Sequence, residues 1–346
     1  MRGKEIELFE GVFTVKDLIK KLTEVCSPSG REDAIADTIL DLLKGHIDGY
    51  ERDRLGNLIV WKKGRSGKKI LLDAHMDEIG VIVTNIDENG FLRIDPIGGV
   101  NPRILLGARL IIDEAVGVVG VEGESRDELE ENLKKMSFDK IYVDIGVKSK
   151  EEAEKKVRIG SFGTYLPCFA DLGNRILSKS MDDRVGCAVL VEVLREIDDP
   201  KNDVYCVFAV QEEVGIVGAR VAGFDIEPDV AVAVDVTGVG DTPKALKRIS
   251  MRLGCGPALK VMDGRTISDR KLLNMMENLA RELGIPYQME VLPFGGTDAF
   301  GYQLTRSGIP SMTLSIPTRY IHTPNEMVDF NDVLNTVKLL REFVKI

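Results

Sequence analysis

The sequence predicts an α/β fold: a mixed central sheet flanked by helices, with a small mostly-β domain inserted into it. Two observations carry this. From about residue 182 onward, helical and strand-like segments alternate regularly, the pattern of a sheet covered by helices on both faces. Between residues 76 and 164 the texture changes to short, glycine-punctuated apolar runs with little helical signal. The expected organisation is a catalytic α/β domain over 1–75 and 165–346, interrupted by a β-rich domain over 76–164.

The elements follow in order. Residues 15–25 have a helical apolar rhythm, and Ser29-Gly30-Arg31-Glu32 matches a capping box for a helix over 30–43. Strands at 58–61 and 69–74 flank a turn at Gly64-Arg65-Ser66-Gly67-Lys68. Segments 81–84 and 91–94, joined through Glu88-Asn89-Gly90, predict a hairpin. Further strands fall at 110–112, 117–121 and 141–144, with one charged helix at 148–156. Helices at 182–197, 215–222, 268–283 and 331–344 then alternate with strands at 204–210, 230–234, 287–292 and 311–315.

Composition narrows the function. A chain of 346 residues with 44% hydrophobic and 29% charged residues is globular, and its net charge of −10 argues against a nucleic-acid-binding face. No apolar run approaches the ~20 residues needed to cross a bilayer. Residues 1–13 lack the apolar stretch of a signal peptide, so the cytoplasm is the expected location. Five cysteines are scattered without a C-x-x-C, which leaves any metal site to histidine and carboxylate. Cys187, Cys206 and Cys255 stand in apolar or glycine-bearing contexts and are expected in the core.

Sites in open α/β sheets collect beyond the C-terminal ends of the strands. Three strands here end in acid or histidine. The strand at 69–74 runs into His75, with Asp77 two places on; in extended geometry those side chains share a side, and a carboxylate can hold the second N–H of a metal-binding imidazole. The strand at 204–210 runs into Glu212-Glu213, and that at 230–234 into Asp235. Adjacent desolvated glutamates repel unless a cation sits between them. With a divalent cation, one carboxylate can bind the ion while the other takes a proton from water.

Asp182 and Asp183 open a helix, where acids also suit the dipole and where Ser180 could cap; they could equally bridge two ions. The segment from Arg319 to Pro324, after the proline-bearing Ile316-Pro317, predicts a loop presenting His322. Of three histidines, only His46 is expected at the surface without a role. Gly295-Gly296-Thr297-Asp298 is a tight turn that either approaches a substrate or merely connects elements.

His75-Met76-Asp77-Glu78-Ile79-Gly80, Asp182-Asp183-Arg184, Glu212-Glu213-Val214-Gly215, Asp235-Val236-Thr237, Gly295 to Ala299 and Arg319-Tyr320-Ile321-His322 occur in that order. Together they resemble the TET-type metallo-aminopeptidases, glutamyl and deblocking aminopeptidase relatives often labelled endoglucanase. The resemblance spans essentially the whole chain. It implies a zinc-exopeptidase-like catalytic domain holding two divalent ions, zinc or cobalt. His75 and Glu213 or Asp235 would be terminal ligands, Asp182 the bridge, and His322 the completion of the second ion. Glu212 would be the general base and Asp77 would orient His75.

The resemblance further implies peptide substrates, a dimerisation role for the inserted domain, and homodimers that build a homododecamer. Val217 and Gly238 depart from the family's frequent arginine and histidine. Rival readings are a deacylase or carboxypeptidase on the same centre, a glycosidase, and a non-enzymatic assembly component.

Overall fold

A computed structural model describes residues 14–346, so the expectation for residues 1–13 lies outside the described residues. In chain order the strands are β1 (Gly49–Arg52), β2 (Leu58–Lys62), β3 (Lys69–His75), β4 (Gly80–Ile86), β5 (Leu92–Ile97), β6 (Arg109–Ile112), β7 (Ala115–Val121), β8 (Ile141–Asp144) and β9 (Phe162–Tyr165). There follow β10 (Ala170–Asp171), β11 (Arg175–Ser178), β12 (Asp203–Ala209), β13 (Val230–Gly238), β14 (Ala258–Met262), β15 (Gln288–Val291), β16 (Ser311–Arg319) and β17 (Glu326–Asp329).

β4 to β9 close an antiparallel barrel in the order β4-β5-β8-β7-β6-β9. Alternate residues, among them Val81, Val83, Leu92, Ile94, Leu110, Ile112 and Val143, fill its interior. The remaining strands form one mixed sheet, β1-β2-β12-β3-β13-β16-β17-β11-β10, with β14 and β15 added beside β16. At its centre β12, β3, β13 and β16 run parallel. Both faces are covered, which is why these strands are continuous apolar runs in the sequence.

The period of two along β3 decides what each face receives. Ile70, Leu72 and Ala74 enter the larger core, against the helix Met181–Glu196. That helix is buried almost all round because Val15–Glu24 and Phe330–Phe343 pack over it. Leu71 enters a second core with the helices Val217–Ile226 and Ala299–Gln303. The following positions on that side are Asp73 and His75, polar groups delivered by the same alternation to the strand's end.

Tertiary contacts override several local signals. The helix expected from residue 30 is Asp33–Leu42 without a side-chain cap, because the Ser29 hydroxyl is engaged by Asp77 instead. β16 does not stop at Ser315 but continues through Pro317 to Arg319. Pro317 falls where that edge changes partner, β14 ending opposite Ser315 and β17 beginning opposite Thr318, so its missing N–H costs no ladder bond there. Cys187 and Cys206 are buried as expected, but Cys255 is exposed. No helix among the described residues is long and apolar enough to cross a membrane.

One buried cation ties these layers together. Arg184, wholly buried, donates from Nη1 to the carbonyls of Leu22 at 2.7 Å and Val25 at 3.1 Å, and from Nη2 to Ser27 at 3.3 Å. It also lies 3.6 Å from Glu78, whose other oxygen takes Lys179 Nζ at 2.6 Å and the Ser180 hydroxyl. Removing one member of a buried ionic network leaves its partners desolvated. Arg184→Met is expected to lower the free energy of unfolding by about 3–5 kcal/mol, read from denaturant titration against the unsubstituted protein.

Candidate metal centre

The centre forms where three neighbouring parallel strands end. Ala209 of β12 pairs with His75, and Ala233 of β13 pairs with Asp73. Two residues further along their strands, His75 and Asp235 arrive side by side, and Glu212-Glu213 turns over them from β12. The three strand exits singled out in the sequence therefore converge.

Asp77 does more than face the histidine. His75 Nδ1 lies 3.2 Å from the Asp77 backbone oxygen and 3.5 Å from its Oδ1. The same carboxylate accepts the backbone N–H of Glu212 at 3.0 Å, that of Glu213 at 3.2 Å, and the Ser29 hydroxyl at 2.6 Å. One buried side chain thus fixes the ring and the loop that carries both glutamates.

Asp182 stands between the two histidines. Its Oδ1 is 3.0 Å from His75 Nε2 and its Oδ2 is 3.3 Å from His322 Nε2. Asp182 and Asp183 are not helical as expected: their φ/ψ values are −76°/103° and −119°/39°, the bond between them is cis, and the regular helix starts after them. Ser180 makes no cap, since its hydroxyl is committed to Glu78. Glu326 holds the arrangement from behind, accepting the N–H of Asp182 at 2.9 Å and of His322 at 2.7 Å.

His322 also depends on the barrel. Its Nε2 is 3.2 Å from Glu213 Oε1, and its Nδ1 is 3.1 Å from the carbonyl oxygen of Gly99. A Cβ on Gly99 would stand 2.4 Å from that ring nitrogen, and one on Gly98 would stand 3.1 Å from Glu213 Cβ. The Gly98-Gly99 pair, overlooked in the sequence, is therefore the seat of the second histidine; its only sequence signal was the doubled glycine before Val100.

The donor set fits divalent cations. His75, Asp182 and Glu213 present ligand atoms within 4.8 Å of one another, as do His75, Asp183 and Asp235. Burial raises the carboxyl pKa values of Glu213 and, much further, Glu212 and Asp183. Asp235 is pushed up to about 8 by burial and by the charge of Asp182. Burial disfavours charged rings at His75 and His322, yet the surrounding carboxylates outweigh it and hold both high, His322 at about 12. One donor atom has no protein partner to replace an ion: Asp183 Oδ2 is buried without a hydrogen bond.

Asp73 and Tyr302 were missed. The Tyr302 hydroxyl donates to Asp73 Oδ2 at 2.6 Å, beneath His75, and Asp298, from the glycine turn noted in the sequence, is buried close by. Backbone strain gathers at the same place, with positive φ at Ser180, Gln211, Ile216, Tyr320 and His322. The centre opens into a cavity of about 870 Å³ whose walls include Thr237, Lys260, Arg265, Phe294 and Ile321. His46 is exposed, as expected.

Comparison with known proteins finds similarity over nearly the whole chain. The family model described as M42 glutamyl aminopeptidase matches residues 56–339. A lysyl aminopeptidase of Pyrococcus furiosus is 39% identical over 338 residues, covering 95% of this chain and 96% of that one. A solved aminopeptidase from the archaeon Desulfurococcus kamchatkensis superposes with a TM-score of 0.91 at 40% identity, over 96% of this chain and 94% of that chain. The TET1 peptidase of Pyrococcus horikoshii, which can assemble into a tetrahedron or a large octahedral shell, superposes with a TM-score of 0.85 at 31% identity, over 96% and 99%.

The seat of His322 gives a test that touches no charged group. Gly99→Ala drives a methyl into the ring, so divalent-cation affinity is expected to fall roughly 10–100-fold, measured by competition with a chromophoric chelator. Unchanged affinity would show that His322 does not contribute to binding.

Proposed function

The chain belongs to the M42 glutamyl aminopeptidase family and is a metal-dependent aminopeptidase, a hydrolase of peptide bonds, and on that premise we propose a two-ion centre with Glu212 as general base. The observation that carries this reading is Asp182, which offers one carboxylate oxygen to each imidazole. His75 and Asp235 would hold one ion, His322 and Glu213 the other, and Asp182 would be shared between them. Zinc and cobalt suit a set of imidazole and carboxylate donors. When bound, the ions supply a Lewis acid for the scissile carbonyl and lower the pKa of the attacking water.

The chain's own residues do the rest. Asp77 fixes the His75 ring and, through the N–H groups of Glu212 and Glu213, the loop above it. Glu212 lines the cavity, and burial raises its pKa. Kept ionised by the cations it would face, it would take a proton from the attacking water and pass it to the leaving amine. Glu326 keeps Asp182 and His322 in register throughout.

Glu212→Gln keeps the shape and removes the base. It is expected to lower kcat about 10²–10⁴-fold on an aminoacyl reporter while the ion content stays at the unsubstituted level. Chelation should abolish activity, with Zn²⁺ or Co²⁺ restoring it. Full activity of Glu212→Gln, or resistance to chelation, contradicts the mechanism.

The barrel is proposed as the dimerisation domain, and dimers as the unit of a homododecamer. Leu106, Val116 and Val118 are large apolar residues exposed on it, the last two alternating outward from β7. Val116 and Val118 lie two residues apart on the same face of β7, and an apolar face open to solvent is suited to association. The assembly measured by light scattering should be twelvefold, and Val116→Asp with Val118→Asp should reduce it; a monomer before substitution would refute the proposal.

A further inference from the structure

The cavity has two ends of opposite character. His75, Asp182 and Asp235 line it and are buried, whereas Arg265, Phe294 and Gly295 line it and are exposed. The first group marks the floor at the metal centre, and the second marks the mouth. Among the described residues, the carboxylates that line the cavity are Asp182, Glu212, Glu213 and Asp235, all at the metal centre. Arg265 is the one charged residue among the exposed lining groups. The cavity is therefore acidic where the bond is cut and cationic where it meets solvent.

Arg265 is held in place there. Its stem crosses Gly296, where a Cβ would stand 2.5 Å from Arg265 Cδ and 3.2 Å from its Nε. That close approach resolves the glycine turn: Gly296 is needed to let the arginine past. The Arg265 guanidinium carbon lies 5.8 Å from the ring centroid of Phe300, and that of Arg220 lies 5.6 Å from the same centroid. Phe300 is fixed in turn, because its ring packs against the second core. The helices that carry Phe300 and Arg220 approach closely, so that a Cβ on Gly301 would stand 3.1 Å from Arg220 N. Both arginines are exposed, and neither guanidinium has a hydrogen bond or an ion pair with a described residue. A guanidinium over a ring keeps the N–H groups along its edge free, and those match a carboxylate in a two-pronged contact. Two unneutralised cations thus share one ring in a chain whose net charge is −10.

We propose that Arg265 and Arg220, set by Phe300, form a receptor for the C-terminal carboxylate of a short peptide, so that the protein favours peptides whose far end reaches the mouth of the cavity. This rests on the aminopeptidase reading, which puts the first residue's carbonyl at the metal centre. Everything after the cut bond must then run from the floor outward, and a free C-terminus brings a negative charge to the outer end. Arg265 lines the cavity and Arg220 stands outside it. An extended residue advances ~3.3–3.6 Å, so the two cations meet the carboxylates of peptides of neighbouring length. A much longer chain carries its carboxylate past both and gains nothing from them.

The test keeps leucine as the first residue of every substrate, so that side-chain preference at the cut bond cancels. A leucyl-alanine tripeptide, tetrapeptide and decapeptide are each compared with their C-terminal amides on the metal-loaded protein. The better of the two short acids should exceed its amide ~10-fold in kcat/KM, through KM rather than kcat, while the decapeptide pair should differ less than ~2-fold. Exposed ion pairs are individually weak, so Arg265→Gln or Arg220→Gln alone should lower the short-peptide ratio roughly 2–5-fold, and the double substitution should bring it near one. An amidated tripeptide ending in glutamate separates the two sources of a carboxylate: if it matches the free acid, the assignment to the C-terminus is overturned. Calorimetric titration of Glu212→Gln with the same pairs reads the preference without turnover. If the unsubstituted protein cleaves none of the peptides while binding still favours the acids, the aminopeptidase mechanism falls and the receptor stands. A protein that cleaves short acids and their amides alike overturns the receptor, and so does a ratio unmoved by the double substitution.

Discussion

The constraint that organises this molecule is the burial of several carboxylates around two imidazoles at one end of a parallel sheet. Asp182, Asp183, Glu212, Glu213 and Asp235 outnumber the rings they surround. In a desolvated site such groups neutralise by taking up protons or by binding cations. The raised values of Asp235 and the glutamates express the first route. The paired approach of Asp182 to both histidines favours the second.

Everything nearby serves to hold that crowded arrangement in place. The parallel strands supply position, since their common direction brings three C-terminal exits together. Asp77 supplies orientation for His75 and anchors the glutamate loop. Glu78, with Lys179 and Arg184, fixes the turn that carries Asp182 against the end of the first helix. The barrel is not an appendage in this respect, because Gly99 contacts His322 directly. Because a residue beside the barrel touches the histidine, the placement of the barrel helps set the geometry of the site.

Much of this was legible in the sequence, and the reason is geometric. Buried parallel strands are apolar along their length, so a histidine or acid at their end stands out, as His75, Glu212-Glu213 and Asp235 did. What could not be read depends on contacts between distant segments. Ser29 matched a capping box but bonds to Asp77, 48 residues away. Asp182 looked like the start of a helix but lies outside helical geometry. Glu326, Tyr302 and Gly99 carry no motif of their own; their roles exist only once the strands around them are placed. Cys255, expected in the core, lies exposed beside Gly254 and Gly256, whose N–H groups are tied to Asp332.

The central claim is that Asp182 is shared between two ions. Anomalous diffraction at the zinc absorption edge, from crystals of the zinc-reconstituted protein, tests it most directly. The account predicts two peaks per chain on either side of the Asp182 carboxylate, one next to His75 and the other next to His322. A single peak, or peaks that leave either histidine without an ion, would contradict it.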